Sequence, residues 1–318
     1  MNFTLQRIRR VQKFSNVKIN YSNERFADEL FFQSTKLLFE TGIKSYEISQ
    51  DIFADTFFLT TRYEEYLPFE GDKYGRYSST LSAAHKMGFL RSPVVNIWAE
   101  DIKRKITGKF SDRKYKFITT IDIDNAYAYL EKGKWRTAGG YARAYLKLDK
   151  AELSERKNVS SGNVKDPYDT YDLILDVQRK YNLNSIFFFL LADYAPHDKN
   201  VPHSSKKFQS LIKSIKQISE IGIHASFASN TNPKNVTIEK QRLERILGTP
   251  IVKNRQHFLM LKFPDTYRNL IVSGITEDYS MGYADQIGFR AGICTPYKFY
   301  DIKTEQETQL TIYPFAVM

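Results

Sequence analysis

The chain of 318 residues is long enough to bury a substantial core, as one large domain or two smaller ones. Its composition, 42% hydrophobic and 26% charged, excludes a disordered protein, and no apolar run approaches the ~20 residues that a membrane helix needs. The formal net charge of +11 is concentrated in residues 101–165, which hold sixteen basic and eight acidic residues. Because no zinc-finger spacing or RNA-binding motif accompanies this excess, nucleic acid is an unlikely partner and a solvated basic loop is the simpler interpretation.

Cysteine usage and the start of the chain indicate the compartment. The single cysteine, Cys294, excludes an internal disulfide and a cysteine zinc cluster, so a metal would need His and carboxylate ligands. The first ten residues lack the apolar core of a signal peptide. We therefore expect a cytoplasmic protein with no membrane partner.

The first 110 residues predict an accessory α+β lobe without a catalytic constellation. Residues 23–40 fit a strand or a helix equally well. Asp51 is a typical N-cap for a helix that Pro68 closes, and further short helices are expected over residues 77–90 and 93–106. A linker should follow at residues 107–114.

The most informative stretch is residues 116–125, where a β-branched and aromatic run ends in Asp122 and Asp124. At the carboxyl end of a parallel strand, both carboxylates are expected to face one crevice, which is where α/β proteins build their sites. The alternative stays open that Asp122 merely ends a strand while Asp124 begins a turn or caps a helix.

The next segment, residues 127–166, carries several glycines and most of the basic cluster. We expect a functional or mobile loop, with room for one short helix over residues 141–148. A helix with Pro167 in its first turn should then lead to the next strand.

From residue 116 to residue 293, strand and helix patterns alternate, which indicates an α/β fold of βαβ units. A continuous apolar run over residues 184–191 predicts a strand buried on both faces. Polar residues recur where the predicted strands stop: Asp122, Asp124, His224, Arg255, His257 and Asp278. One Asp and two His side chains would give a divalent cation three ligands and leave a position open for water.

These motifs resemble the polysaccharide deacetylases of the NodB-homology type, over residues 115–318. The resemblance implies a deformed (β/α) barrel and a divalent metal, zinc foremost. Residues 120–124 resemble the first motif, in which one Asp is the general base and the next a metal ligand. Residues 220–229 resemble the second motif, which supplies metal-binding His, and residues 247–257 the third, whose Arg orients the catalytic Asp.

The chain departs from the family pattern at three places. One residue separates Asp122 from Asp124, Ala228 stands where the second motif has its second His, and the final Leu-x-x-x-His motif is missing. His257 is therefore expected to supply the third metal ligand. His197 and His203 are weak substitutes for the missing general acid.

The resemblance thus assigns a role to each candidate residue. Asp122 and Arg255 are expected to be catalytic, with Asp124, His224 and His257 as metal ligands. Asp278, Tyr279 and Arg290 are expected to bind substrate, because their surroundings resemble a subgroup that also carries a Thr-Arg-Tyr-Glu-Glu-Tyr stretch, as at residues 61–66.

The function implied is a metal-dependent hydrolase that removes acetyl groups from a polysaccharide or peptidoglycan-type sugar. The absence of the second His favours an alternative, an inactive relative that binds a glycan or a protein. The basic segment would serve a third, a phosphoesterase or a nucleic-acid partner. Because the chain ends in an apolar, strand-like stretch, we expect a barrel that is incomplete at its C-terminus. The sequence identifies neither the sugar nor the oligomeric state.

Overall fold

The computed structural model describes residues 18–25, 29–40, 45–49 and 51–318. The chain divides into two compact units. The terminal unit comprises Met1–Lys114, Leu261–Asp265 and Ser280–Met318, and the central unit comprises Tyr115–Met260 and Thr266–Tyr279. None of the helices in the described ranges is long and apolar enough to cross a membrane.

The described residues of the terminal unit form short strands and three α-helices. Its elements are β1 (Ile19–Ser22), β2 (Leu30–Gln33), α1 (Ile52–Thr60), α2 (Ala83–Lys86), α3 (Val94–Thr107), β8 (Tyr297–Asp301) and β9 (Gln306–Ile312). β1 and β2 pair in parallel, and β8 and β9 form an antiparallel pair. The ambiguous stretch of residues 23–40 therefore contains a strand. Asp51 caps α1 as its sequence position predicts, since its carboxylate accepts a hydrogen bond from the backbone N–H of Ala54.

A buried cluster of charges stabilises this unit. Arg62 is fully buried, and its Nε donates to Glu65 at 2.7 Å. Arg290 donates to the same carboxylate at 2.6 and 2.9 Å. Burial alone would raise the pKa of Glu65, but Arg290 and Arg62 outweigh it and lower that pKa. Losing one partner would leave a buried charge unpaired, so the cluster ties residues 62–65 firmly to Arg290.

The central unit is built on parallel strands with helices between them. Its strands are β3 (Ile118–Ile123), β4 (Asn184–Phe189), β5 (Glu220–Ala225), β6 (Lys253–Gln256) and β7 (Glu277–Asp278). Its helices are α4 (Lys134–Leu146), α5 (Lys150–Ser160), α6 (Tyr171–Tyr181), α7 (Lys206–Lys216), α8 (Lys234–Leu247) and α9 (Asp265–Val272). The strands pair in chain order, β3-β4-β5-β6-β7, each in parallel with the next. This is the α/β arrangement that the alternating pattern predicts, but no closed barrel forms within the described residues.

The apolar run at residues 184–191 forms β4, which lies in the interior of the sheet. Phe187, Phe188 and Phe189 are completely buried. Strands on both sides satisfy the backbone of β4, and side chains cover both of its faces. A strand that is buried along five of its six residues therefore supports the carboxyl end of the sheet.

The segment between β3 and β4 differs from its prediction. Residues 127–166 hold two helices, α4 and α5, where a loop with one short helix was expected. The following helix starts at Tyr171, after Pro167 rather than at it. The reason lies in Asp166, whose carboxylate accepts hydrogen bonds from three successive backbone N–H groups, of residues 128–130. Asp166 thus fastens the turn after β3 and does not begin the helix.

Gly222 in β5 makes room for an aromatic ring beneath the strand ends. A Cβ placed on Gly222 would lie 2.5 Å from the ring of Phe188 and 2.9 Å from the backbone oxygen of Lys253. The Phe188 ring in turn packs against the guanidinium of Arg255, whose Cζ lies 5.2 Å from the ring centroid. Glycine at this position therefore permits the packing that supports Arg255.

We expect Gly222→Ala to lower the free energy of unfolding by about 1–3 kcal/mol, the usual cost of overpacking a core. Urea unfolding monitored by circular dichroism measures it. Gly139→Ala is the matched control, because a Cβ on this exposed helical glycine meets nothing within 4 Å. The control should stabilise by up to about 1 kcal/mol. Equal stability of the two variants would contradict the packing described for Gly222.

Candidate metal centre

Strand register decides which side chains share a face of the sheet. His224 on β5 pairs with Arg255 on β6, and paired residues of neighbouring strands project to the same side. Asp122 on β3 pairs with Phe188 on β4, which pairs with Gly222, two residues before His224. Because alternate residues of a strand face the same side, Asp122, His224 and Arg255 share one face.

Three potential metal ligands converge at the carboxyl ends of these strands. The Nε2 atoms of His224 and His257 lie 3.1 Å and 3.6 Å from the same oxygen, Oδ1 of Asp124. One ligand atom from each residue lies within 4.8 Å of the others. Bonds of about 2.0–2.1 Å to a tetrahedral cation separate its ligands by about 3.4 Å. The spacing therefore fits a single divalent cation.

Hydrogen bonds behind the two imidazoles orient them for this task. His224 Nδ1 lies 2.9 Å from the backbone oxygen of Arg255, which can only accept, so Nδ1 carries the hydrogen. Nε2, which faces Asp124, is then the ring nitrogen left to bind a metal. His257 Nδ1 lies 3.1 Å from the carboxylate of Asp198. Metal-binding histidines commonly have such carbonyl and carboxylate partners, which supports a metal site here.

Asp198 was not identified from the sequence, although it positions His257. Its side chain is completely buried, and its two oxygens accept hydrogen bonds from the backbone N–H groups of Phe227 and Ala228 at 2.8 and 3.0 Å. It lies in a loop nine residues beyond β4. No motif marks it, and only its position after a buried strand was available as a signal. The backbone N–H of Ala228 thus binds Asp198, and Asp198 orients His257, the residue expected to replace the missing second His as a metal ligand.

The charges at the centre favour an ionised Asp124. Burial alone would raise the pKa of the Asp124 carboxyl, but hydrogen bonds with His224 and His257 outweigh it and hold that pKa well below its usual range. Burial alone would lower the pKa of His257, but hydrogen bonds with Asp124 and Asp198 raise it to about 9. Without a metal, therefore, His257 is protonated at neutral pH, and a cation must displace that proton.

Asp122 and Arg255 form an ion pair next to the three ligands. Arg255 Nη1 lies 3.5 Å from Oδ1 of Asp122, and its Nε donates to the backbone oxygen of Tyr279 at 3.0 Å. The other oxygen of Asp122 lies 4.0 Å from His224 Nε2. The Asp122 side chain is 15% exposed and that of Asp124 is 57% exposed. The group is thus open to solvent at Asp124, which a substrate and a water molecule would need.

The residues predicted to bind substrate are not among the three candidate ligands. Asp278 pairs in register with Asn254, which neighbours Arg255 in the strand and therefore faces the opposite side. Its carboxylate is fully buried and accepts a hydrogen bond from Asn254 Nδ2 at 2.8 Å. Tyr279 is buried and its hydroxyl donates to Glu277. Arg290 belongs to the terminal unit, and the substrate-binding role of all three stays a prediction.

The two histidines considered as general acids have different surroundings. His197 is exposed, and its ring lies 4.4 Å from the Phe227 ring and 5.6 Å from the Phe258 ring, measured between centroids. His203 is partly buried, and burial together with Arg242 lowers its pKa. His197 is therefore the one that packs near the candidate centre, since Phe258 also contacts His257.

The backbone immediately after His257 is strained. Phe258 and Leu259 have φ values of 61° and 51°, in the left-handed region that residues with a Cβ rarely adopt. Two such residues in succession persist only where their surroundings enforce the conformation, and they often occur at functional sites. The Phe258 ring packs on those of His257 and Phe227, which fixes the turn.

Comparison with known proteins gives a family-model match for the first part of the chain. Residues 1–111 match a family model described as a family of unknown function, DUF7033. None of the curated proteins matches the chain. The candidate centre lies outside the matched residues.

Solved structures resemble the chain at low identity. One is a candidate polysaccharide deacetylase from Mycobacterium smegmatis, with 16% identity, a TM-score of 0.38 and coverage of 64% of this chain and 60% of that one. A de-N-acetylase from Aggregatibacter actinomycetemcomitans has 12% identity, a TM-score of 0.28 and coverage of 51% and 86%. PuuE allantoinase has 10% identity, a TM-score of 0.36 and coverage of 63% and 61%. Similarities at this level carry no conclusion about activity or substrate.

We expect zinc binding to the chelated protein at pH 7.5 to release the proton of His257. Isothermal titration in buffers of different ionisation enthalpy counts released protons. In the absence of metal, the ion pair of His257 should stabilise the fold fully below the ordinary His pKa of ~6.5, and this stabilisation should fade as the pH rises through about 9.

The matched variant is His257→Gln, which should release about one proton fewer and bind zinc more weakly. Asp198→Asn should keep the zinc but weaken its binding by roughly 10–100-fold, the usual effect of losing a partner behind a ligand. An unchanged proton count in His257→Gln would contradict the protonation assigned to this side chain.

Proposed function

We propose that the protein is a metal-dependent hydrolase that removes acetyl groups from a carbohydrate. The observation that carries the proposal is the convergence of His224 and His257 on one oxygen of Asp124, next to the carboxylate of Asp122. A three-ligand site with an adjacent base is the arrangement that metal-assisted hydrolysis requires. The motif resemblance over residues 115–318 points to acetylated sugars as the substrate class.

Asp124, His224 and His257 would hold the metal, with zinc expected because nitrogen and oxygen ligands in this number suit it. A divalent cation held there would supply Lewis acidity at the acetyl carbonyl and lower the pKa of its water. The ligands all lie in the central unit. The division into an accessory lobe of residues 1–110 and a catalytic part of residues 115–318 stays a proposal, and Leu261–Asp265 and Ser280–Met318 group with the terminal unit.

Asp122 is the proposed general base. Its distance of 4.0 Å from His224 Nε2 leaves it beside the ligand set, where it can accept a proton from a water molecule that attacks the acetyl carbon. Arg255 pairs with this carboxylate, since its Nη1 lies 3.5 Å from Oδ1 of Asp122. The buried Phe188 ring and the Tyr279 carbonyl in turn hold Arg255 in place.

A binding module without activity is the second candidate. It is favoured by Ala228, which occupies the position of the second His in the resembling motif. Against it stands the geometry of His257, whose Nε2 lies 3.6 Å from Asp124 and whose Nδ1 is held by Asp198. A module that had lost its metal would not need this supported imidazole.

We expect Asp122→Asn to reduce acetate release from an acetylated sugar by about 10²–10⁴-fold, the usual contribution of a positioned proton acceptor. The amide preserves the size of the side chain but cannot accept a proton. Acetate should be measured with the zinc-loaded protein and oligomers of N-acetylglucosamine and acetylated xylose. Zinc content, by mass spectrometry, should remain near that of the wild type.

Asp124→Asn is the matched control, since it should lose both zinc and activity. Thermal melts of both variants exclude a folding defect. Loss of zinc in Asp122→Asn but not in Asp124→Asn would mean that the two carboxylates have exchanged roles. Normal zinc binding with no activity in the wild type on any acetylated sugar would favour the binding module.

A further inference from the structure

Trp135 is an aromatic side chain that the fold leaves in solvent. It lies in the first turn of α4 and is 91% exposed. The other tryptophan, Trp98, is partly buried. A fully exposed indole contributes nothing to a core, and flat exposed aromatic faces are suited to stacking against ligand rings.

The residues on either side of Trp135 tie it to the loops of the candidate metal centre. Lys132 donates through Nζ to the side chain of Asn125, which directly follows the ligand Asp124. Arg136 donates through Nη1 and Nη2 to the backbone oxygens of Asn200 and Lys199, at 2.8 and 3.0 Å. These two residues follow Asp198, the partner of His257. Trp135 is therefore held by neighbours that contact the segments following Asp124 and Asp198, and residues 125–136 and 199–207 are called the rim of the candidate centre.

The same rim is rich in exposed lysines. They are Lys134, Lys199, Lys206 and Lys207. The rim is held together by two contacts between its segments: Ser205 donates to Glu131, and Lys207 Nζ lies 4.5 Å from the centroid of the Tyr127 ring. Of the acidic residues nearby, Glu131 is engaged with Ser205 and Asp193 with Arg242. The surface next to Trp135 therefore favours anions.

We propose that this rim, centred on Trp135, binds a polysaccharide of uronic acid residues and presents its acetyl groups to the candidate metal centre. The inference rests on the proposed function and names the substrate class of that site. A polyuronate offers a sugar ring to stack on the indole and a carboxylate to pair with a lysine in every repeating unit. A polyol phosphate has the charge but lacks the ring, and a neutral glycan has the ring but lacks the charge.

Single-stranded nucleic acid would also combine rings with charge. The polyuronate is favoured because the rim adjoins the candidate centre. That centre combines Asp124, His224 and His257 with the separate carboxylate of Asp122, and this arrangement suits the removal of acetyl groups. The two classes bind through the same features, so they are separated in the test. Contact with a second copy of the chain through the exposed Trp135 face is separated there as well.

The test measures binding and does not depend on turnover. In Trp98→Phe, Trp135 is the single tryptophan, so its fluorescence reports on the rim. Titration of the chelated variant with polygalacturonate should shift the emission to the blue, and binding should weaken with added salt. In the wild-type background, Trp135→Ala should weaken binding about tenfold in affinity electrophoresis, whereas Trp135→Phe should restore most of it. Lys134→Ala together with Lys199→Ala should reduce the salt dependence.

Tyr181→Ala is the matched control, because this tyrosine is also exposed, at 61%, but lies at the end of α6. It should bind polygalacturonate as the wild type does. Equal binding of dextran, poly(glycerol phosphate) or oligothymidylate, or no effect of Trp135→Ala, would overturn the proposal. So would a dimer that Trp135→Ala dissociates in light scattering. Failure of acetate release alone, with polygalacturonate still bound, would refute the proposed hydrolase and leave the rim intact.

Discussion

The period of two in a β-strand, combined with the register of parallel strands, determines which side chains can meet in this protein. Asp122 and Asp124 are separated by one residue, and so are Arg255 and His257. Within the strands, register places Asp122, His224 and Arg255 on one face. Asp124 and His257 lie just beyond the ends of β3 and β6, and their side chains converge with His224 there. A slip of one residue in any strand would send its polar groups to the other side of the sheet. The buried strand β4 pairs with β3 and β5, and its apolar side chains fix the register in which Asp122 and His224 meet.

The polar groups of the centre depend on a second layer that satisfies them. His257 would have no fixed orientation without the carboxylate of Asp198, and Asp198 would be a buried charge without the backbone N–H groups that bind it. The strained turn after His257 belongs to the same layer. Its cost of order 1–3 kcal/mol per residue is offset by packing of the Phe258 ring. Packing of the Phe258 ring thus stabilises the strained turn that positions the His257 imidazole.

The sequence predicted the parallel sheet and its polar strand ends because both follow from local pattern. Residues 186–191 are apolar throughout, and Asp122, His224 and Arg255 each stand near a strand end. Contacts distant in sequence could not be predicted in this way. Asp198 approaches His257 only through the tertiary fold, and the pairing of Asp278 with Asn254 depends on register that no turn signal specifies. The first half of α4 and all of α5 were missed, because their glycines and charges resemble a loop, whereas the short helix expected over residues 141–148 overlaps the end of α4.

Asp122 and Asp124 reach the candidate centre from different kinds of backbone. Asp122 lies in β3, whereas Asp124 lies in the bend that begins just after this strand ends at Ile123. The bend directs the Asp124 carboxylate to the same His224 imidazole that lies 4.0 Å from Asp122. Arg255 then discriminates between the two, because its guanidinium lies 3.5 Å from Asp122 while both imidazoles point to Asp124. Asp122 therefore has a cationic partner, whereas Asp124 has two imidazoles with which it could share a metal. This difference in partners is the physical basis for assigning the two carboxylates different roles.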